Sequence, residues 1–408
     1  MSRRKKIAFT LLAIALFFLL TEILLRFVVS PNNEIGSAEK RKKFAAYQHE
    51  PYVDQYFKDT IECGKQSAAA QKAKNIEGPF ERYLMFRLTT ECSTETIQYR
   101  GGMRRTWNPA TSTVASGAKI YRVGVFGGST VEGAGTIDME TIPSHISKRV
   151  NSGEKNTARV YAVENDGVSG YTFTQSVLDL LLRLREGQRF DYVVFYNGAN
   201  DIDNAYDAGE AGALYGETLI KHKLQGGTWA NLKDALVAKV GNCATCRALV
   251  ILARNTPIVK DYLTPYILQI KDSLQFNAAQ KKDDAGIISF ANDISEYYKQ
   301  SHELLDTLSE AYHFRYLEFW QPTLMQDRIV GGESALLGVD PWLGDEKRKE
   351  LHRLVTKNLD AMKLDHFYDI SDALAKRDAA YYLDAVHING EGNEVVARRI
   401  ADVFKKAF

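Results

Sequence analysis

From residue 119 onward, apolar positions come in short dense runs separated by longer stretches with helical spacing. KIYRVGVF (119–126), ARVYAV (158–163), FDYVVFY (190–196), FRYLEFW (314–320) and HFYDI (366–370) are rich in β-branched and aromatic residues. Short runs of this kind, apolar nearly throughout, suit strands covered on both faces, as in a parallel sheet. Helices are predicted between them, over 140–151 and 176–185. Ile287, Ile294, Tyr298, Leu305, Leu308 and Tyr312 recur near helical spacing and predict a longer amphipathic helix over 287–312. Val396, Ile400, Val403 and Phe404 mark one face of a terminal helix. Strands alternating with helices predict an α/β fold, a three-layer α/β/α domain over residues 118–408 with a mostly parallel five-stranded sheet. The alternation lapses after Asn200, and residues from about 205 to about 280 read as a helical insertion or cap.

The N-terminal part follows another pattern. Arg3, Arg4, Lys5 and Lys6 precede an apolar run from Ile7 to Val29, interrupted by Thr10, Thr21, Glu22 and Arg26. Roughly 20 helical residues cross a ~30 Å hydrocarbon core, so this run is long enough to span a membrane. Glu22 and Arg26 lie four apart near its far end, where they can pair or snorkel to the interface. A cleaved signal peptide and a buried soluble helix are the competing readings, but the run is long for a signal-peptide core and no A-x-A site follows it. Residues 1–30 therefore read as a cytoplasmic tip and single-pass anchor (a signal anchor). The basic N-terminus then places the remainder on the periplasmic or extracellular side of the cell membrane. Lys40, Arg41, Lys42 and Lys43 weaken that orientation without reversing it. Residues 31–117 are polar, with scattered aromatics and weak periodicity, and read as a juxtamembrane segment that wraps onto the main domain.

Composition narrows the picture little. The 408 residues are 45% hydrophobic and 25% charged, enough apolar material for a sizeable core. A formal net charge of +1 removes the basic excess a nucleic-acid-binding chain would carry. The four cysteines fit an exported chain: Cys63 with Cys92, and Cys243 with Cys246, are one of three pairings that four cysteines allow. Free buried thiols stay open as an alternative. The C-x-x-C at 243–246 also leaves redox or zinc chemistry open, although no second C-x-x-C or H-x-x-x-H completes a metal site.

Ligands of an open parallel sheet sit beyond the carboxyl ends of its strands. Gly127-Gly128-Ser129-Thr130 follows the first predicted strand, and Asn165-Asp166-Gly167-Val168-Ser169-Gly170-Tyr171 follows the second. Asn197-Gly198-Ala199-Asn200-Asp201 follows the third, and Asp384-Ala385-Val386-His387 precedes the last helix. The glycines Gly127, Gly128, Gly133 and Gly135 are wrongly spaced for a dinucleotide fingerprint, though a phosphate nest or a plain turn would also use them. Taken singly, Ser129 could be a helix cap, Gly170 a helix-entry glycine, and Asn200 a turn former. Asp384 and His387, likewise, could be surface loop residues.

In this order the four blocks resemble the SGNH (GDSL-type) serine hydrolase family, over residues 118–408 apart from the insertion. YRVGVFGGST, DGVSGYT and HINGEGN are similar to its exported, membrane-anchored bacterial branch. Gly128 stands where the family often has Asp. The resemblance implies a flavodoxin-like sheet, no metal or organic cofactor, Ser129 as nucleophile, His387 as base and later acid, and Asp384 as its orienting carboxylate. It further implies an oxyanion hole formed by the Ser129 and Gly170 backbone N–H groups and the Asn200 side chain. Ser169 is the weaker nucleophile candidate, Asp201 is read as holding its loop, and Asn389 and Asn393 as capping the final helix and steadying His387. The other seven histidines have no motif partner.

Three functions follow. The first is hydrolysis of O-acetyl or other short acyl esters on an envelope or extracellular carbohydrate. The second is transfer of the acyl group onto a polysaccharide, with a membrane partner supplying it. The third is a non-catalytic scaffold on a hydrolase fold, which would be expected to have a broken catalytic set. A lipid esterase is a further reading, which a long apolar groove in the 205–280 insertion would favour, and the sequence reveals none.

Overall fold

The computed structural model describes residues 41–73, 80–152, 159–217 and 282–408, except 49, 111–113, 115 and 216. The predicted membrane span, most of the predicted insertion and the pair Cys243 and Cys246 lie outside these residues. Among the described residues, no helix is long and apolar enough to cross a membrane.

Ten strands occur in the described chain: β1 (Phe80–Glu81), β2 (Met85–Phe86), β3 (Cys92–Ser93), β4 (Gln98–Arg100), β5 (Met103–Arg104), β6 (Lys119–Gly127), β7 (Arg159–Gly167), β8 (Tyr192–Asn197), β9 (Arg315–Trp320) and β10 (Phe367–Asp369). Eight helices accompany them: α1 (Val53–Ala73), α2 (Ser129–Glu132), α3 (Ile142–Asn151), α4 (Phe173–Arg185), α5 (Ala199–Ala208), α6 (Asp284–Tyr312), α7 (Glu346–Met362) and α8 (Gly390–Ala407). The five strands legible in the sequence are β6 to β10, and they pair in parallel in the order β10-β9-β8-β6-β7.

The sheet does not stop at five. β5, β4 and β3 continue it antiparallel beyond β7, with Arg104 opposite Asn165, to make eight strands. The wrapping segment thus becomes part of the sheet. β3, β4 and β5 are two or three residues long and carry no apolar run of the kind that marks β10, so no pattern announces them. α5 also starts earlier than the lapse in alternation implied, and α7 was not foreseen. Leu351, Val355 and Leu359, all buried, are the four-residue spacing that marks α7.

Strand side chains alternate between two cores. Val123, Val125, Val194, Tyr196, Leu317 and Phe319 face one layer with Ile142 and Ile146 of α3 and Val396 and Ile400 of α8. Phe126, Val193, Phe195, Tyr316 and Trp320 face the other, against α4, α5, α6 and α7. Each fully buried Val, Leu, Ile or Phe contributes about 1.5–3 kcal/mol relative to exposure. The α/β/α layering is therefore set by a period of two within each strand, hidden in runs that look uniformly apolar.

Cys63 of α1 and Cys92 of β3 form a disulfide with their Cα atoms 5.0 Å apart, one of the two bridges in the pairing named above. A bridge that closes a segment of this size contributes about 3 kcal/mol by restricting the unfolded chain. It fastens α1 to the antiparallel edge of the sheet.

Candidate active site

Three strand ends and one loop build the site. Buried β6 ends at Gly127, where a Cβ would lie 2.3 Å from the Tyr196 carbonyl oxygen of β8, so only glycine lets these backbones approach. Gly128 is extended, and Ser129 then opens the single turn of α2. As the first residue of a helical turn, its N–H has no intrahelical acceptor. A Cβ on Gly128 would lie 2.4 Å from Asn200 Nδ2. The Gly128 backbone therefore lies directly against the Asn200 amide.

The last block closes on Ser129 from across the chain. Tyr382 and Ile388 form a bridge, the Leu383 N–H donates to the His387 carbonyl (2.8 Å), and the Asn389 N–H donates to that of Tyr381 (2.9 Å). Asp384 Oδ1 accepts from the backbone N–H groups of Val386 (2.8 Å) and His387 (2.7 Å). Its Oδ2 lies 2.7 Å from His387 Nδ1, and His387 Nε2 lies 2.7 Å from Ser129 Oγ. Since both Asp384 oxygens are acceptors, Nδ1 carries the proton of a neutral His387, which leaves Nε2 to accept from the serine hydroxyl.

Charges tune this pair in opposite directions. Burial pushes the Asp384 carboxyl up, but His387 and the two backbone N–H donors outweigh it and hold it below its ordinary value. Burial alone would lower the His387 imidazole, but the Asp384 charge and hydrogen bond outweigh it and raise it, with a smaller contribution from Glu132. A base made stronger in this way takes a hydroxyl proton more readily.

Of the expected oxyanion donors, Asn200 packs beside Gly128, and its amide donates to the carbonyl of Tyr171 (2.9 Å), the residue after Gly170. Gly170 has φ +85°, a left-handed conformation that favours glycine. Asn200→Ala is expected to lower the turnover of a small acetate ester by about 10²–10³-fold, mostly in kcat, the usual cost of one oxyanion donor. Steady-state kinetics with circular dichroism on the same sample would check it.

Around this core, the sequence reading meets mixed outcomes. Asp201 accepts from the Phe173 N–H (2.8 Å) and the Gly198 N–H (3.2 Å), and burial pushes its carboxyl up to about 7, so it holds the loop as expected. Asn389 caps α8 by accepting from the Gly392 N–H, and its amide donates to the Ala46 carbonyl (2.7 Å). Asn393 is not a cap: it donates to the Glu140 carbonyl (2.9 Å) and ties α8 to the loop before α3. Among the other histidines, His302 meets Glu318 in the buried core at 2.9 Å and His352 meets Asp203 at 3.2 Å.

Glu132 was missed. It accepts from Tyr99 (2.7 Å), the Ser169 N–H (2.9 Å) and the Ser169 hydroxyl, and so pins the Ser169–Gly170 turn to the helix that carries Ser129. Ser169 is engaged there by the carboxylate, while His387 is engaged by Ser129. Arg104 of β5 was missed too: it reaches Asp138 (2.9 Å) and the Gly133 and Thr136 carbonyls, bracing the loop after α2. Neither residue belongs to a motif: Arg104 comes from the antiparallel edge, and Glu132 ends the turn that carries Ser129.

A serine, an imidazole and a carboxylate in hydrogen-bonded series at the carboxyl edge of an α/β/α sheet form the arrangement of a serine hydrolase. The GDSL-like Lipase/Acylhydrolase family matches residues 123–400, more than half of the chain. The protein belongs to that family and is an ester-hydrolysing enzyme. Among solved structures it is similar to Est24, a carbohydrate acetylesterase from Sinorhizobium meliloti, at 15% identity, covering 71% of this chain and 100% of that one with a TM-score of 0.35. It is also similar to Axe2, an acetylxylan esterase from Geobacillus stearothermophilus, at 14% identity, 72% and 97% coverage and a TM-score of 0.34. A putative arylesterase from Agrobacterium tumefaciens matches at 14% identity, 71% and 100% coverage and a TM-score of 0.30. No curated protein matches the chain.

Proposed function

We propose that the protein is a membrane-anchored esterase that removes O-acetyl or other short acyl groups from an extracellular or envelope carbohydrate, with Ser129 as nucleophile. The observation that carries the chemistry is the unbroken series Asp384–His387–Ser129, with 2.7 Å at each link. As Ser129 Oγ attacks the acyl carbonyl, His387 Nε2 takes its proton and the carbonyl oxygen becomes an oxyanion. The Ser129 and Gly170 N–H groups and the Asn200 amide stabilise that charge. Collapse of the tetrahedral species breaks the bond to the alcohol, which leaves with the proton from His387. A water, deprotonated by His387, then releases the acid and restores Ser129.

Anchoring rests on the apolar run Ile7–Val29 behind Arg3, Arg4, Lys5 and Lys6, and the carbohydrate on an exported serine esterase meeting envelope polymers there. The full-length chain in detergent micelles should release acetate from acetylated polysaccharide, and the cell's activity should stay with membranes after an alkaline wash. Activity in the soluble fraction would remove the anchor from this reading. Acyl transfer to an added sugar without acid release would replace the hydrolase by a transferase.

A further inference from the structure

A cleft of about 430 Å³ opens beside the His387–Asp384 pair, and most of its wall comes from outside the catalytic blocks. Arg41, Phe44, Tyr47 and Tyr56, all upstream of the family-matched residues 123–400, belong to that wall. Val339, Asp340, Gly135 and His387 line it as well. None of Ser129, Gly170 and Asn200 lies in this wall.

We propose that this cleft holds the alcohol half of the ester, a sugar ring, so that the segment before the family domain selects the substrate. The proposal rests on the esterase reading above and deepens it. The acyl oxygen must face the oxyanion donors, which are absent from the wall, while the leaving alcohol must face the group that protonates it. That group is His387, and His387 lies in the wall. A space bordering the imidazole and not the oxyanion donors is on the leaving-group side.

The lining matches the chemistry of a sugar. Tyr47 donates to the Gly135 carbonyl (2.7 Å) and Tyr56 accepts from the Gly135 N–H (2.9 Å), so both phenols are fixed and their rings have set positions. Tyr47 and Phe57 pack edge to face at 5.6 Å, which stiffens the aromatic side further. Tyr47 and Phe57 are buried and back this wall, while the partly exposed Phe44 and Tyr56 rings suit the apolar C–H face of a pyranose and the Arg41 guanidinium offers donors to its hydroxyls. Both Asp340 oxygens already accept backbone N–H groups, from Trp342 (3.0 Å) and Ala385 (2.8 Å). Asp340 is thereby held in place as an acceptor, and Arg41 adds guanidinium donors to the wall.

The test keeps the acyl group constant and varies the alcohol, using the full-length protein in detergent. Val339 is 63% exposed, so Val339→Trp fills the cleft from outside without disturbing a core. kcat/KM would be measured for p-nitrophenyl acetate and for acetylated xylo-oligosaccharides in wild type, Val339→Trp and Arg41→Ala. Both variants should lose at least about tenfold more on the sugar acetate than on the phenyl ester, chiefly through KM. An unchanged ratio, whether both activities fall together or neither falls, overturns the cleft assignment. Wild type that cleaves the phenyl ester but no sugar acetate overturns the sugar as occupant. Full turnover by Ser129→Ala would sink the esterase mechanism instead, an outcome separate from the other two.

Discussion

Ser129→Ala loses ester hydrolysis by about 10⁴-fold or more and no longer reacts with a fluorophosphonate probe. The magnitude follows from the unit the serine belongs to: removing any member of a nucleophile–base–carboxylate set leaves only the residual catalysis of binding and oxyanion donors. Here the Oγ has one base at 2.7 Å, and the Ser169 hydroxyl is bound to the Glu132 carboxylate instead. The substitution removes one hydroxyl at a half-buried position, so the fold should survive, and an unaltered thermal transition would show that. Retained labelling in a folded Ser129→Ala protein would move the nucleophile elsewhere and dismiss the mechanism.

The second large effect belongs to Asp384→Asn, expected to lower kcat by about 10⁴-fold, since an amide in place of the carboxylate favours the wrong imidazole tautomer. It should also move the pH dependence. His387 acts as a base, so kcat/KM of the wild type rises with pH as the imidazolium deprotonates and then levels off. Burial pushes the His387 imidazole down, while Asp384 overrides it and raises it, so the wild-type midpoint lies above the ordinary histidine value of about 6.5. Removing the negative charge lets the burial effect prevail, and the midpoint of the residual activity should fall. A profile that stays in place would mean that the titrating group is not His387. The carboxylate also accepts two backbone N–H groups within its own loop, so a thermal melt of the variant is needed to separate a lost fold from a lost tautomer.

Most of the site was readable because three blocks stand at strand ends, marked by the switch from an apolar run to glycine and a helix start, and the fourth stands just before the last helix. Ser129, Asn200 and the pair Asp384 and His387 are all found in that way, and the structure brings Ser129, Asp384 and His387 into one hydrogen-bonded series. Glu132, Tyr99 and Arg104 could not be found by the same route. Their role is to tie together segments about thirty residues apart, and such a tie leaves no periodicity and no motif. The cleft was illegible for the same reason: Tyr47, Tyr56 and Val339 become neighbours of His387 only once the N-terminal segment packs against the 336–341 turn.

What the sequence determined on its own was the local part: five parallel strands, the helices between most of them, and the residue types at their carboxyl ends. These depend on near neighbours, through apolar runs, glycine turns and caps such as Asn389. Tertiary structure alone decided the three antiparallel strands beyond β7, the disulfide partner of Cys63, the facing of each strand towards one of two cores, and the wall beside His387. Those features arise from pairings between segments far apart in the chain. Their energy comes from surfaces that meet only after folding, so no single stretch of sequence carries their signal.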